Sequence, residues 1–191
     1  RWINNYPDTI EATGDDALYA HITFASGAVG QWISDHAGHG KGFGTRQIWG
    51  SKGSIESPGD RNGRPVKLHL DSGTTIDDAK ILDYAPSYKL SSLAAELFGG
   101  ERPWTYQFEF NDIDAKIVAL EYYELADCIL TGKTPEVSGE EGRADLALNY
   151  APFEAGRLGR PVTLQEVIDG RAYVYQREID EMIGLLTPIP A

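Results

Sequence analysis

Ala17-Leu18-Tyr19-Ala20-His21-Ile22-Thr23-Phe24-Ala25-Ser26-Gly27-Ala28-Val29-Gly30-Gln31-Trp32-Ile33-Ser34-Asp35 is the stretch on which the fold turns. Two alternating runs flank Ser26-Gly27, and the glycine can take the positive φ of a tight turn. This predicts an antiparallel hairpin over residues 17–25 and 28–35. With Ala25 opposite Ala28, Phe24 meets Val29, Ile22 meets Gln31 and Ala20 meets Ile33. Leu18, Ala20, Ile22, Phe24, Val29 and Ile33 then share one face, the natural core face. The other face carries Tyr19, His21, Thr23, Gly30 and Trp32. Two large aromatics on a nominally solvated face predict cover from another domain or subunit. The plainer alternative is a pair of half-exposed aromatics.

Outward from the hairpin, strand signals continue. Arg46–Trp49, the turn Gly50-Ser51-Lys52-Gly53 and Ser54–Glu56 read as a second hairpin. Val66, Leu68 and Leu70 alternate with Lys67, His69 and Asp71, as in a half-buried strand. Thr74–Ile76, Ile81–Tyr84 and Trp104–Phe110 are further strand candidates, and Tyr88–Phe98 is a short helix stopped by Gly99-Gly100. Helices then take over. Asn111 or Asp112 can cap a helix from Ile113 to Thr131 with a stripe of Val118, Tyr122, Leu125 and Ile129, widened by Ile113, Ile117 and Leu120. Ser138 and Glu141 form a capping box for a helix running to Leu158, and Pro152 inside it predicts a kink or split. A last helix is predicted over Arg171–Leu186. Strands followed by helices give an α+β fold.

Composition narrows the class. The chain has 191 residues, a net charge of −12 and 41% hydrophobic residues. The first 110 residues hold 14 of the 21 glycines and all four histidines. An acidic surface argues against nucleic acid and anionic membrane as partners. One cysteine, Cys128, cannot form an internal disulfide; its place in the helical stripe predicts a buried thiol. No apolar run reaches the roughly 20 residues that span a bilayer. A soluble, cytoplasmic domain is the default expectation. The opening Arg1 has no initiator methionine before it, so a piece of a longer polypeptide is expected.

Asp35-His36-Ala37-Gly38-His39-Gly40-Lys41-Gly42-Phe43-Gly44, followed by Arg46, is the richest chemical stretch. Glycines let a backbone approach a ligand closely, and His36, His39, Lys41 and Arg46 offer donors and acceptors to a polar, hydroxylated ligand. The alternative is a solvated connection. Asp35, His36 and His39 are also metal-ligand types, but a His-x-x-His in a glycine loop is a poor match to known zinc spacing, and no metal site is assigned. The glycine spacing is not G-x-G-x-x-G, and the stretch leads into a strand. No nucleotide or cofactor site is read in this chain. Glu121, Glu124 and Asp127 read as a solvated helix face. No catalytic residue is identified.

Three stretches together resemble a known family. They are Asp16–Trp32 with its Ser26-Gly27-Ala28-Val29-Gly30-Gln31-Trp32 end, Ile48-Trp49-Gly50-Ser51-Lys52-Gly53-Ser54-Ile55-Glu56, and the Glu124–Ile129, Gly132–Pro135, Gly139–Glu154 and Gly159–Leu164 segments. Over about residues 15–165 they look like the C-terminal domain of the Gfo/Idh/MocA oxidoreductases. The resemblance implies a large, mainly antiparallel open β-sheet with helices packed on one face. It implies domain 1–165 and a C-terminal extension 166–191, helical over 171–186. It also implies an N-terminal Rossmann domain of the same polypeptide, NAD or NADP in the full-length protein, and hydride transfer on a sugar, polyol or related small-molecule substrate. The other sheet face would make a homodimer or tetramer, with Tyr19, His21 and Trp32 as candidate subunit-interface residues. The connection after the second strand would make His36, His39, Lys41 and Arg46 the candidate substrate contacts. The family's nucleotide domain is not in this sequence, and its catalytic Asp-x-x-x-His pair is assigned to no residue, since Asp35 and His39 have its spacing but not its location; the chain alone is expected to be inactive. The alternative is a non-catalytic dimerisation or carbohydrate-binding module of the same fold.

Overall fold

The computed structural model describes residues 14–38, 40, 44–59 and 61–186. The fold is α+β, with antiparallel sheets and helices packed on one face. The described strands are divided between a two-stranded and a four-stranded sheet. The chain forms two compact units, one from Arg1–Gly42 with Val137–Ala191 and one from Phe43–Glu136. Among the described residues no helix is long and apolar enough to cross a membrane.

In the first unit, β1 (Ala17–Thr23) pairs antiparallel with β2 (Val29–Asp35). The hairpin is as expected, but its register is shifted by one. Ala20 faces Trp32, Ile22 faces Gly30 and Thr23 faces Val29. The cause is the turn. The Phe24 N–H donates to the Ala28 carbonyl, and the Gly27 N–H to the Phe24 carbonyl, both at 2.9 Å. The loop is therefore the three residues Ala25-Ser26-Gly27, with Gly27 at φ 86°, the arrangement in which a turn ends on a left-handed residue. One residue of slip exchanges faces on one strand relative to the other. Trp32 joins Leu18, Ala20 and Ile22 on the half-buried face, while Tyr19, His21, Thr23 and Val29 are exposed.

Helix α3 (Gly139–Leu158) opens on the expected capping box of Ser138 and Glu141. It runs as one helix through Pro152, so the expected split does not occur. α4 (Leu164–Ile168), not foreseen, is capped reciprocally by Thr163 and Glu166. The Thr163 N–H and hydroxyl together with Arg160 hold the Glu166 carboxyl down to about 2. α5 spans only Tyr175–Met182, shorter than the expected 171–186 helix. What seats α5 is Glu154 of α3, 1% exposed. Its carboxylate accepts the backbone N–H groups of Val174 (2.6 Å), Tyr175 (3.1 Å) and Gln176 (3.0 Å). These are the donors that a helix start leaves unpaired. Phe153 stacks on Tyr175 with ring centroids 4.8 Å apart, Arg157 pairs with Glu178, and Ala172 is buried. Residues 166–182 are thus built into this unit.

In the second unit, β3 (Arg46–Gly50), β4 (Gly53–Ser57), β5 (Lys67–Leu70) and β6 (Thr75–Ile76) form a meander in sequence order. The two-residue turn Ser51-Lys52 joins β3 to β4, as expected. Two expected strands are not strands. Residues 79–83 form a 3-10 helix, because Asp78 accepts the Lys80 N–H and Arg102 collects the Leu82, Ala85 and Tyr88 carbonyls. Residues 104–109 are irregular. Their aromatics pack instead of forming a ladder: Tyr106 and Phe108 lie against Phe98 at 5.3 and 6.0 Å between centroids.

α1 (Ser92–Phe98) is capped by Ser91 and ends on Gly99. α2 (Phe110–Thr131) starts one turn earlier than expected, with Glu109 at its cap and no side-chain cap bond from Asn111 or Asp112. Ile113 is buried and Ile117 and Leu120 half-buried, but Val118, Tyr122, Leu125 and Ile129 are exposed. The buried seam of α2 is therefore the widening set, not the expected stripe, and Cys128 is half-buried rather than buried. Nor are Glu124 and Asp127 merely a solvated face. Glu124 accepts the Glu136 N–H at 2.5 Å, and Asp127 pairs with Lys133 at 3.1 Å. Both fold the chain back after Gly132.

Candidate functional site

A carboxylate holds the start of the loop after β2. Asp35 is the last residue of β2 and points its side chain at two donors. The Tyr19 hydroxyl donates to one oxygen at 2.5 Å, and the Gly38 N–H to the other at 2.8 Å. These bonds hold the Asp35 carboxyl below the usual carboxylate range, the Tyr19 hydroxyl contributing most. The same bond and the charge beside it push the Tyr19 phenol up. Asp35→Asn should bring the Tyr19 titration back toward about 10, read as a change in the phenolate absorbance curve against wild type. An unchanged curve would mean that the bond is not made.

His36 follows Asp35. Its N–H donates to the Asp16 carbonyl at 2.8 Å, and its Nε2 lies 3.5 Å from the Ser34 hydroxyl. Ser34 is in β2 opposite Leu18, so sheet register aims both residues to one side. On that side lies a cavity of about 350 Å³, bounded by the hairpin, α3 and α5. Trp32, Ser34 and His36 line it with Asn149, Tyr150 and Tyr175, among others. Burial and the nearby Asp15 carboxylate push the Tyr175 phenol up.

The expected site residues divide as follows. His36 lines the cavity. His39 and Lys41 lie outside the described residues. Arg46 opens β3 opposite Ser57 and belongs to the second unit. Tyr19 and His21 occupy the exposed hairpin face, and Trp32 the opposite one, so the three interface candidates do not share a surface. The metal-type trio Asp35, His36 and His39 includes a residue outside the described set. Among the described residues no group of three or more His, Cys, Asp or Glu side chains is placed to hold a metal ion.

Tyr150, Phe153, Glu154 and Asn149 escaped the sequence reading. Tyr150, Phe153 and Glu154 recur at i, i+3 and i+4, the spacing of one helix face, and that spacing was the available signal. The glycine-rich stretch 38–44 is followed by β3, a strand. A dinucleotide pyrophosphate is held where a glycine turn opens a helix, so these residues do not fit NAD or NADP.

No curated protein and no solved structure matches the chain. Residues 4–164 match GFO_IDH_MocA_C, the C-terminal alpha/beta domain of an oxidoreductase family. That span contains the β1–β2 hairpin, the four-stranded sheet and α3. The chain belongs to the Gfo/Idh/MocA oxidoreductase family, as its C-terminal alpha/beta domain.

Proposed function

We propose that the chain is the substrate-binding and oligomerisation domain of a cytoplasmic NAD(P)-dependent oxidoreductase that transfers hydride to or from a sugar, polyol or related hydroxylated substrate. Family membership over residues 4–164 carries this reading. The nucleotide belongs to a Rossmann domain of the same polypeptide. The contribution of this chain is the wall against which the substrate is positioned. His36, His39 and Lys41 supply hydrogen bonds to substrate hydroxyls. The fixed start of the connection, pinned by Asp35 to Tyr19 and Gly38, supports that role. Self-association uses the outer hairpin face, where Tyr19, His21 and Val29 are exposed.

The test is made on the full-length protein with a panel of sugars and polyols. NAD(P)-dependent turnover is expected, with KM raised about tenfold by His39→Ala, the scale of one lost hydrogen bond to a polar substrate group. The 191-residue chain alone should not quench on titration with NADH or NADPH. Tight nucleotide binding by the chain, or no turnover of any hydroxylated substrate by the full-length protein, would overturn the reading.

A further inference from the structure

The cavity of the first unit has a definite charge character. Asp15 and Asp16 are among its lining residues, the Asp15 carboxylate beside the Tyr175 phenol, together with the aromatic residues Trp32, Tyr150, Phe153 and Tyr175. No lysine or arginine is among its described lining residues. Arg157 has its guanidinium 5.9 Å over the Tyr175 ring. Its charge is matched by Glu178 at 2.9 Å, and it lines the neighbouring depression with Asp15 and Glu178 instead. The His36 N–H bond to the Asp16 carbonyl fixes the Asp16 backbone beside the cavity.

Aromatic faces carry negative quadrupole density and attract a cation placed over them. A carboxylate adds a Coulomb attraction that a neutral ligand does not feel. An anionic ligand would meet two like charges. A neutral polyol would gain hydrogen bonds but neither of the two charge-dependent attractions. We infer that this cavity binds a small organic ammonium ion, seated among Trp32, Tyr150 and Phe153, with Tyr175 closing the wall, and neutralised by Asp15 and Asp16. Its wall is of two origins. Trp32 and Tyr150 lie within the family-matched residues 4–164, whereas Tyr175 and Ile179 lie past them, on the helix that Glu154 seats. Residues beyond the matched span thus contribute to the wall of this pocket. This inference rests on reading the surroundings of His36 as a ligand site, and deepens that reading by naming the charge of the ligand.

The experiment uses the 191-residue chain and three probes: choline, its uncharged carbon isostere 3,3-dimethylbutan-1-ol, and glucose. Binding is followed by the indole N–H resonance of Trp32, assigned with a Trp32→Phe variant. Choline is expected to shift that resonance and to bind at least about tenfold more tightly than the isostere, the scale of a partly desolvated cation–π contact. Asp16→Asn, an isosteric change at an exposed residue, should weaken choline about fivefold with an unchanged thermal midpoint, since it deletes one nearby charge. Equal affinity for choline and its isostere would overturn the inference, as would choline binding indifferent to both Asp15→Asn and Asp16→Asn. Glucose bound and choline not bound would also overturn it while leaving the hydroxylated-substrate reading intact. Absence of hydride transfer in the full-length protein would sink that reading and leave choline binding untouched.

Discussion

Glu154→Ala should destabilise the first unit by about 3–5 kcal/mol, because it removes a buried acceptor from three backbone donors at once. The carboxylate is 1% exposed and takes the N–H groups of Val174, Tyr175 and Gln176. Hydrogen bonds to a charged acceptor are worth about 1.5–3 kcal/mol each, but three sharing one group are not additive, since the freed donors of a fraying helix regain water. The sum is therefore capped near the cost of undocking α5. That cost includes the Phe153–Tyr175 stack at 4.8 Å and the burial of Ala172. Glu154→Gln is expected to cost less, about 2 kcal/mol, since one carbonyl oxygen remains while its NH₂ must face a donor. Urea unfolding measures the totals. Amide exchange at residues 174–176 locates the loss, and protection there should fall in both variants. An Ala variant within about 0.5 kcal/mol of wild type would show that the carboxylate does not carry α5. With α5 released, Tyr175 and Ile179 leave the cavity, so the same variant should also abolish choline binding.

The residues that hold α5 also mark where sequence reading stops. A glutamate inside a helix reads as solvent-facing unless it forms a local pair. The partners of Glu154 are backbone N–H groups 20 to 22 positions downstream, and a backbone donor has no signature in a sequence. Local partners were readable. Ser138 and Glu141 announced their capping box three residues apart, and Gly99, Gly132 and Gly159 each close the helix they were expected to close. The β1–β2 hairpin was readable as a pair of strands but not in its register. Ser26-Gly27 serves equally as a two-residue turn or as the end of a three-residue one, and the choice moves Trp32 from one face to the other. That single slip separates Trp32 from Tyr19 and His21 and places it in the cavity wall. At the candidate site, His36 was legible because charged groups among glycines stand out. Tyr150 and Phe153 were not, because aromatics at helical spacing look like any core. The exposed stripe of α2 shows the converse limit: periodicity says which residues share a face, and only packing says which face is buried.

Gly63→Ala is the second large effect expected, and it falls on the other unit. A Cβ at this position would stand 1.8 Å from the Tyr106 carbonyl oxygen, 2.7 Å from its carbon and 2.6 Å from the Tyr106 ring. Two of these three atoms are backbone, so no rotamer change relieves the contact. The segment cannot withdraw freely either, because the Gly63 carbonyl accepts the Tyr106 N–H at 3.0 Å and the Thr105 hydroxyl at 2.5 Å. Those bonds bridge 42 positions between Gly63 and Thr105 and fasten the irregular 103–109 stretch to the loop between β4 and β5. Retreat by Tyr106 would also disturb its packing on Phe98 and Phe108. Overpacking of about 1–3 kcal/mol and two lost hydrogen bonds of about 1 kcal/mol each give a destabilisation of about 3–5 kcal/mol. Urea unfolding followed by tryptophan emission reports it, since Trp104 sits beside the clasp. Gly142→Ala provides the contrast. It lies inside α3 with nothing within 4 Å of an added Cβ, so the methyl should stabilise by about 1 kcal/mol through helix propensity alone. Opposite signs from the same substitution would separate crowding from backbone entropy as the reason for each glycine. A Gly63→Ala protein as stable as wild type would mean that the 103–109 stretch is not seated on Gly63. The aromatic cluster around Phe98 would then have to hold that stretch by itself.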